Sequence, residues 1–519
     1  MNHKPLITLL FSFLCACGGS SDKVNNDIDN TTPTISSFSF LSTNNANLYD
    51  DLSLDVSGNK ITGRLAKNIP VNDLVATIEH DGQLITVNNA DQIDGTTAND
   101  FTSLVEYKVS KANGLSKTYT VDLTKFTGLP IVNITTDNSL PIESKEDYIT
   151  GTVSIDGGRN FTDLASTVMK IRGRGNSTWY LHPKKPYQMK LDSKEEFLGM
   201  PEQKKWLFLA EYSDKSLLRN TVAFELGYLS ILDWTPKSEF AEVYVNGEYS
   251  GTYNISEKVE EKSVRVNIGD EGFLLEKDTN VDNRVDPDDV YFNTSVYQDN
   301  DVIVIKAPEI ERTDENDFAF EQDSRFTYIR DHINDFENVL FSDNFADPIN
   351  GYASYIDIDS FIDWFLINEI AKNVDARNWS SIFFTYIPGE KIKMGPLWDF
   401  DLGFGNTDYF DSSPNNWHVR NHPWISRLLD DSYFVTLVQN RFKFHFLANK
   451  QHILDKIDAK AGMLKWSQQE NFNRWKILGV KVWPNPDDKV FDTYEEEVDS
   501  LKMWFQDRMD WIEQNIGSI

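Results

Sequence analysis

The chain has 519 residues, of which 40% are hydrophobic and 13% aromatic, enough apolar material for more than one folded domain. Its formal net charge of -31 would be repelled by nucleic acid backbones, which argues against a role in nucleic acid binding. The only two cysteines, Cys15 and Cys17, lie near the N-terminus, so the rest of the chain has no disulfide and no cysteine-based zinc site.

The N-terminus has the pattern of a bacterial secretory signal. A basic start, Met1–Lys4, precedes the apolar segment Pro5–Leu14, which is too short to span a membrane as a helix. The following Leu14–Gly18 resembles a lipobox, so residues 1–17 are the expected lipoprotein signal peptide and Cys17 the expected lipidated residue. An ordinary signal peptide with an incidental cysteine is the alternative. We therefore expect the protein in the bacterial cell envelope, at the outer membrane or cell surface, attached to the membrane by its lipid anchor only.

Two segments of different composition follow. Residues 18–32 are rich in Gly, Ser, Asp and Asn, which is typical of a flexible linker. In residues 33–125, apolar and polar residues alternate along several stretches, and Asn113-Gly114 separates two of them as a hairpin signal. The pattern predicts an antiparallel β-sandwich, and it resembles the Ig-like modules of bacterial surface proteins.

From residue 129 to 519 the pattern changes to strands followed by helices. Ile358, Phe361, Ile362, Phe365, Leu366 and Ile370 form an apolar stripe at helical spacing, with Asp357 or Asp359 as the N-cap. A β-rich half followed by a helical half predicts an α+β domain of two lobes. The predicted strands are residues 168–174, 187–191, 240–245, 249–256, 272–276 and 301–306, with a helix at 216–229 among them.

A Gly-rich turn, Arg172-Gly173-Arg174-Gly175-Asn176-Ser177, lies between two of these strands. Backbone N–H groups in such a turn can bind phosphate, and the two arginines can pair with its oxygens. Lys190 lies on the next strand between Met189 and Leu191, so we expect it to be partly buried and to reach the same phosphates. An ordinary hairpin with a surface lysine is the alternative.

Two acids one residue apart, Asp399 and Asp401, follow the predicted strand at residues 391–394. Alternate residues on an extended chain point to one side, so both carboxylates can share a site that suits Mg²⁺. Asp375 stands 24 residues upstream, after the apolar helix. An acid after a helix, then a strand, then an acid before glycine is the layout of a phosphoryl-transfer site. A polar loop with a solvated Asp pair is the alternative.

Taken together, several motifs between residues 129 and 519 resemble the CotH family, named for a spore coat protein kinase. The resemblance implies an atypical protein-kinase-like domain that uses ATP and Mg²⁺ to phosphorylate Ser or Thr of surface or envelope proteins, including itself. The motifs are Arg172–Trp179, Lys184–Tyr187, Asp214 with Leu217–Asn220, Tyr244–Gly251 with Glu257, and Trp398–Asp401.

The resemblance also implies roles for the acids. Asp375 corresponds to the catalytic Asp, Asp399 to the metal-binding Asp, and Asp401 to a further member of the metal shell. Kinases place a metal-binding Asn five residues after the catalytic Asp, but Ser380 stands there in this chain. Asn378 is the nearest asparagine and the alternative metal ligand, and this departure leaves a weakly active or inactive kinase open.

A second set of residues is expected to bind the nucleotide. Lys190 is the expected phosphate-binding lysine, Lys185 is the second choice, and Glu257 is expected near the adenine at the connection between lobes. The remaining members belong to the Gly-rich turn and are Arg172, Arg174, Asn176 and Ser177. Two other functions stay open on the same fold: a surface adhesin that does not need Asp375 and Asp399, and an enzyme that transfers AMP.

Overall fold

The computed structural model describes residues 31–519, except 49, 159, 280–284, 286–288 and 313–317. It divides the chain into two compact units, Met1–Phe126 and Thr127–Ile519. The signal peptide, Cys17 and most of the linker lie outside the described residues and stay predictions. Within the described part of the chain, no helix combines the length and apolarity needed to cross a bilayer.

In the first unit, the described residues form only strands, turns and loops, as predicted. One sheet has the strand order β5-β1-β2-β3-β10-β9-β6-β7, and β4 pairs with β8. Gly114 has φ 86° in the turn between β9 and β10, the conformation that the Asn-Gly hairpin signal requires. The all-β architecture is confirmed, and the Ig-like type stays a prediction. The expectation of antiparallel pairing throughout was wrong, because β3 and β10 pair in parallel. The strands are β1 Ile35–Phe40, β2 Leu52–Ser57, β3 Lys60–Ala66, β4 Leu74–Val75, β5 Thr77–His80, β6 Leu84–Val87, β7 Ala90–Asp91, β8 Ala98–Asn99, β9 Val105–Ser110 and β10 Ser116–Phe126.

The second unit begins with a closed barrel of strand order β11-β12-β13-β14-β15-β17-β16. Alternate residues of each strand fill the barrel; on β14 these are Tyr187, Met189 and Leu191. The intervening residues therefore point outward, and some of them reach the site described below. The strands are β11 Ile131–Thr136, β12 Ile149–Asp156, β13 Leu164–Gly173, β14 Tyr187–Phe197, β15 Met200–Leu209, β16 Ser238–Val245 and β17 Glu248–Glu257.

A second sheet of this unit has the order β19-β20-β18-β21-β22, with every neighbouring pair antiparallel. Its strands are β18 Phe273–Thr279, β19 Val290–Phe292, β20 Asp301–Ala307, β21 Ile382–Tyr386 and β22 Lys393–Met394.

Helices pack around this second sheet and form one large apolar core with it. The helix Ile358–Ala371 begins at the predicted N-cap Asp357, whose carboxylate accepts the N–H of Ser360 at 2.9 Å. It ends at Lys372 in the left-handed conformation, φ 47°, which turns the chain toward Asp375. The α-helices are Ser177–Leu181, Arg219–Tyr228, Ser324–Leu340, Ile358–Ala371, Pro423–Leu428, Ser432–Arg441, Lys450–Met463, Ser467–Arg474 and Tyr494–Asn515.

A buried ion pair joins the final helix to the helix that precedes Asp375. The Arg508 and Glu369 side chains both have no solvent exposure, and their closest charged atoms are 2.6 Å apart. The Glu369 carboxylate also accepts the backbone N–H groups of His418 and Arg420, at 2.8 and 2.7 Å. The pair therefore fastens three segments of the helical half to one another.

Candidate active site

A cleft with a cavity volume of about 380 Å³ opens on the second unit, and the predicted site residues meet there. Its walls include the Gly-rich turn together with Asp375, Asp399 and Asp401. These segments are up to 229 residues apart in sequence, from Arg172 to Asp401, so the fold alone brings them together. The turn and the acids therefore line one cleft, as a shared site requires.

The segment Asp399–Asp401 is held at its backbone by three buried asparagines. The Phe400 N–H donates to Asn220 Oδ1 at 2.8 Å. Asn373 Nδ2 donates to the Asp399 carbonyl at 3.3 Å, and Asn406 Nδ2 donates to the Asp401 carbonyl at 2.8 Å. Asp399 has φ 65°, an unusual conformation for a residue other than glycine. These bonds leave the two carboxylates to face the cleft.

Carboxylates crowd together behind this segment. Burial raises the pKa of Asp401 well above its ordinary value, and the nearby charges of Asp399, Glu211 and Asp375 raise it further. Burial and Asp214 raise the pKa of Glu211 to about 8. A cation at Asp399 and Asp401 would relieve this repulsion, so the donor set fits a hard divalent ion.

The two carboxylates are compatible with Mg²⁺. Within the described ranges, no group of three or more His, Cys, Asp or Glu side chains is arranged to hold a metal ion. Mg²⁺ in phosphoryl-transfer sites is bound by one or two carboxylates, with phosphate oxygens and water completing its shell. Asp399 and Asp401 match that arrangement, and Ser381 Oγ orients Asp399 through a 3.3 Å hydrogen bond to Oδ2.

Asp375 begins a single 3-10 turn, Asp375–Arg377, after the apolar helix. Its N–H donates to Asn373 Oδ1 at 3.3 Å, and its carbonyl accepts the Trp379 N–H at 2.8 Å. Asp375 and Trp379 both line the cleft, as predicted for the acid. Asn373 therefore contacts both the Asp375 segment and the Asp399 segment, which fixes their separation.

The expected second metal ligand is placed differently. Asn378 is not among the residues that line the cleft, and its Oδ1 is buried with no hydrogen-bond partner in the described structure. The same is true of the Ser380 hydroxyl, which stands at the position where kinases have Asn. As the chain is arranged here, neither side chain reaches the metal position, and the metal role of Asn378 stays a prediction.

The Gly-rich turn lies where the sequence predicts. Gly175 has φ 83° and the Arg174 N–H donates to the Pro186 carbonyl at 3.2 Å, which closes the turn. Burial lowers the pKa of Arg174, while Asp399 and Asp401 act in the opposite direction, so the guanidinium lies near both acids. All four predicted members of the turn line the cleft: Arg172, Arg174, Asn176 and Ser177.

The two lysines proposed for phosphate binding are not in the cleft. Because Met189 and Leu191 fill the barrel, Lys190 points outward and is exposed, so the expectation of partial burial was wrong. Lys185 donates to the Trp179 carbonyl at 2.6 Å and does not line the cleft. The β14 side chain that does line it is Gln188.

Glu257 is likewise turned away from the cleft. It is buried, lies 3.6 Å from Arg265 Nε, and accepts the Lys237 N–H at 3.0 Å. The next residue, Lys258, lines the cleft instead. Tyr253 and Ile255, at alternate positions of β17, point into the barrel. Continuing this alternation puts Glu257 on the same side and Lys258 on the other, which is the sequence signal that could have identified Lys258.

Two histidines have a spacing typical of metal ligands but do not form a metal site. His418 and His422 are four residues apart, but the turn Val419–Asn421 between them is a 3-10 turn. His418 Nε2 lies 3.2 Å from the Val374 carbonyl and His422 Nε2 lies 3.2 Å from the Tyr297 hydroxyl. Burial lowers the pKa of His422 to about 3, so it is a neutral, structural side chain.

Comparisons with known proteins give one family. The family model described as CotH kinase protein matches residues 171–512, which is more than half of the chain. No curated protein matches the chain. A crystal structure from Bacteroides thetaiotaomicron, named as that of a candidate glycoside hydrolase, is similar at 14% identity with a TM-score of 0.15. It covers 57% of this chain and 87% of its own, and at that TM-score it supports no argument.

Proposed function

Because the chain belongs to the CotH kinase protein family, we propose that it is a protein kinase. From the lipobox-like segment at Cys17, we also propose that it is lipid-anchored outside the cytoplasm. It transfers the γ-phosphate of ATP to Ser or Thr hydroxyls of envelope proteins, including its own. The observation that carries this proposal is the meeting of the arginine-bearing Gly-rich turn with Asp375, Asp399 and Asp401 in one cleft.

The cleft offers separate surfaces for the parts of a nucleotide. Leu207, Val259, Val304 and Phe383 supply apolar area for the base. Cationic side chains supply the phosphate site, and they are Arg172, Arg174, Lys258 and Lys306. Lys258 thus takes the role first expected of Lys190 or Lys185.

The acids divide the chemical work. Asp399 and Asp401 hold Mg²⁺, which when bound neutralises charge on the phosphate oxygens. Asp375 orients the acceptor hydroxyl and takes its proton. The new bond joins that hydroxyl oxygen to the γ-phosphorus, the bond from the γ-phosphorus to the bridging oxygen breaks, and ADP leaves.

A second candidate function is a nucleotide-binding surface protein with weak or no catalysis. It is favoured by one observation: Ser380 replaces the expected metal-binding Asn, and Asn378 does not line the cleft. Such a protein would bind Mg·ATP or a host surface without transferring phosphate.

One experiment separates these functions. Purified protein is incubated with γ-labelled or α-labelled ATP, with and without Mg²⁺, and covalent label on the protein and on envelope proteins is measured. The kinase requires Mg²⁺-dependent label from γ-labelled ATP only. Label from α-labelled ATP identifies AMP transfer, and no label from either, with Mg·ATP still bound, identifies the binding protein.

Asp399→Ala should weaken Mg·ATP binding by about tenfold or more, since it removes one of two carboxylates from the metal site. Calorimetry with Mg²⁺ present measures the affinity, and thermal unfolding checks the fold. Asp408→Ala is the matched control, because Asp408 pairs with Lys481 at 3.1 Å and does not line the cleft. Unchanged Mg·ATP affinity in Asp399→Ala would place the metal elsewhere.

Nucleotide binding should also depend on the protonation of Lys258. Burial, with the nearby cation Lys205, lowers the pKa of Lys258 to about 8. Phosphate binds the charged amine, so affinity is fully present below that pKa and is lost as pH rises through it. We expect ATP affinity to fall about tenfold or more between about pH 7.5 and 9.5. Calorimetry across this range measures it, and a Lys258→Met variant with the same slope would refute the assignment.

A further inference from the structure

We propose that Lys277 is a positioning residue for the loop that carries Asp375, a role that rests on the proposed function of that acid. Lys277 lies on β18 and pairs in register with Ile382 of β21, the strand that follows this loop. It is not among the residues that line the cleft, so it acts through the loop and not on a ligand.

The Lys277 amine binds the loop directly. Its Nζ donates to the carbonyl of Asn378 and, at 3.1 Å, to the carbonyl of Trp379. Its charge is balanced by Asp301, whose Oδ1 lies 2.8 Å away. The Lys277 side chain is 1% exposed, so water competes little for its amine. Charge-assisted hydrogen bonds are strong in such surroundings.

The loop also has bonds of its own, from the Asp375 N–H to Asn373 and from Ser381 Oγ to Asp399. Beyond the turn Asp375–Arg377, a main-chain hydrogen bond from the Trp379 N–H to the Asp375 carbonyl spans the loop. The Asn378 amide oxygen and the Ser380 hydroxyl, both buried, have no partner in the described structure. Ser381 has φ 59°, a conformation that needs support from its surroundings.

Removing the amine would leave the Asn378 and Trp379 carbonyls without this donor in a partly buried place. The loop would then rearrange to find water or other partners, and Asp375 would move with it. A misplacement of about 1 Å at a reacting group can cost on the order of 10²-fold in rate. Mg·ATP binding should change much less, because three asparagines hold the backbone of Asp399–Asp401 and the loop contributes one bond, from Ser381 Oγ to Asp399.

Lys277→Met tests this inference, with Lys277→Arg as the conservative variant. We expect turnover to fall about 10- to 100-fold in Lys277→Met with the Mg·ATP dissociation constant within about threefold of wild type, and Lys277→Arg to recover much of the loss. Lys393→Met is the matched control. Lys393 lies on β22 of the same sheet and pairs with Asp233 at 2.9 Å, but it makes no bond to the loop.

A second readout does not depend on kinase activity. Hydrogen exchange of the amides in residues 375–381 should speed up in Lys277→Met and stay at the wild-type rate in Lys393→Met. If the wild-type protein transfers no phosphate, the proposed function fails, yet faster exchange confined to this loop still supports the positioning role. Unchanged exchange overturns it, as does full turnover in Lys277→Met. If Lys277→Met does not fold, Asp301→Asn, which leaves the amine but removes its charge partner, is judged by the same two readouts.

Discussion

Asp375→Asn should eliminate measurable phosphoryl transfer while leaving Mg·ATP binding and thermal stability unchanged. Asparagine keeps the size of the side chain and one carbonyl oxygen, but it cannot accept the proton of the acceptor hydroxyl. General-base and positioning effects contribute about 10²–10⁴-fold to rate, so the loss should be plain. Autophosphorylation with γ-labelled ATP measures the rate, and calorimetry measures binding.

Asp289→Asn is the control for this substitution. Asp289 lines the same cleft, and its carboxylate lies 2.9 Å from Lys306, but the proposed mechanism gives it no proton to accept. We expect Asp289→Asn to keep most of the wild-type rate. If Asp375→Asn retains the wild-type rate, or if both variants lose activity equally, Asp375 is not the general base of this site.

Arg508→Met should destabilise the second unit by about 3–5 kcal/mol, since it leaves the Glu369 carboxylate buried without its charged partner. The Arg508 guanidinium also donates to the carbonyls of Pro414 and Asn416, at 2.8 and 2.7 Å. Those bonds hold the segment around Pro414 and Asn416, so their loss adds to the lost free energy of unfolding. Denaturant unfolding followed by tryptophan fluorescence measures the change.

Asp510→Asn provides the comparison for the buried pair. Asp510 lies on the same final helix and pairs with Lys450, but its side chain is 52% exposed. Exposed pairs contribute about 0.2–1 kcal/mol at most, so this variant should unfold close to wild type. An Arg508→Met protein as stable as Asp510→Asn would show that the buried pair does not stabilise the fold.

Patterns within short segments were enough to predict several elements and candidate site residues. The helix Ile358–Ala371 and its cap Asp357 follow from spacing within one segment, because an apolar stripe and an N-cap act over a few residues. The hairpin at Asn113-Gly114 is local for the same reason. Asp399 and Asp401 could be paired from sequence since they are one residue apart, and Asp375 could be added from the order of elements.

Only the tertiary structure decided which neighbouring residue faces the cleft. On β14, Lys190 and Gln188 both point out of the barrel, and only Gln188 lines the cleft. After β17, Glu257 is buried and the next residue, Lys258, lines the cleft in its place. A shift of strand register by one residue moves every side chain of the strand to the opposite face. The register is set by pairing with strands from distant parts of the chain.

The supports of the site were equally beyond the reach of local patterns. Asn220 binds the Phe400 N–H across 180 residues, and Lys277 binds the Trp379 carbonyl across 102. No spacing rule links such positions, because the bonds exist only once the helix, the sheet and the loops have packed together. The sequence by itself thus indicated which acids to propose for the chemistry, and the packing of distant segments decided what holds them in place.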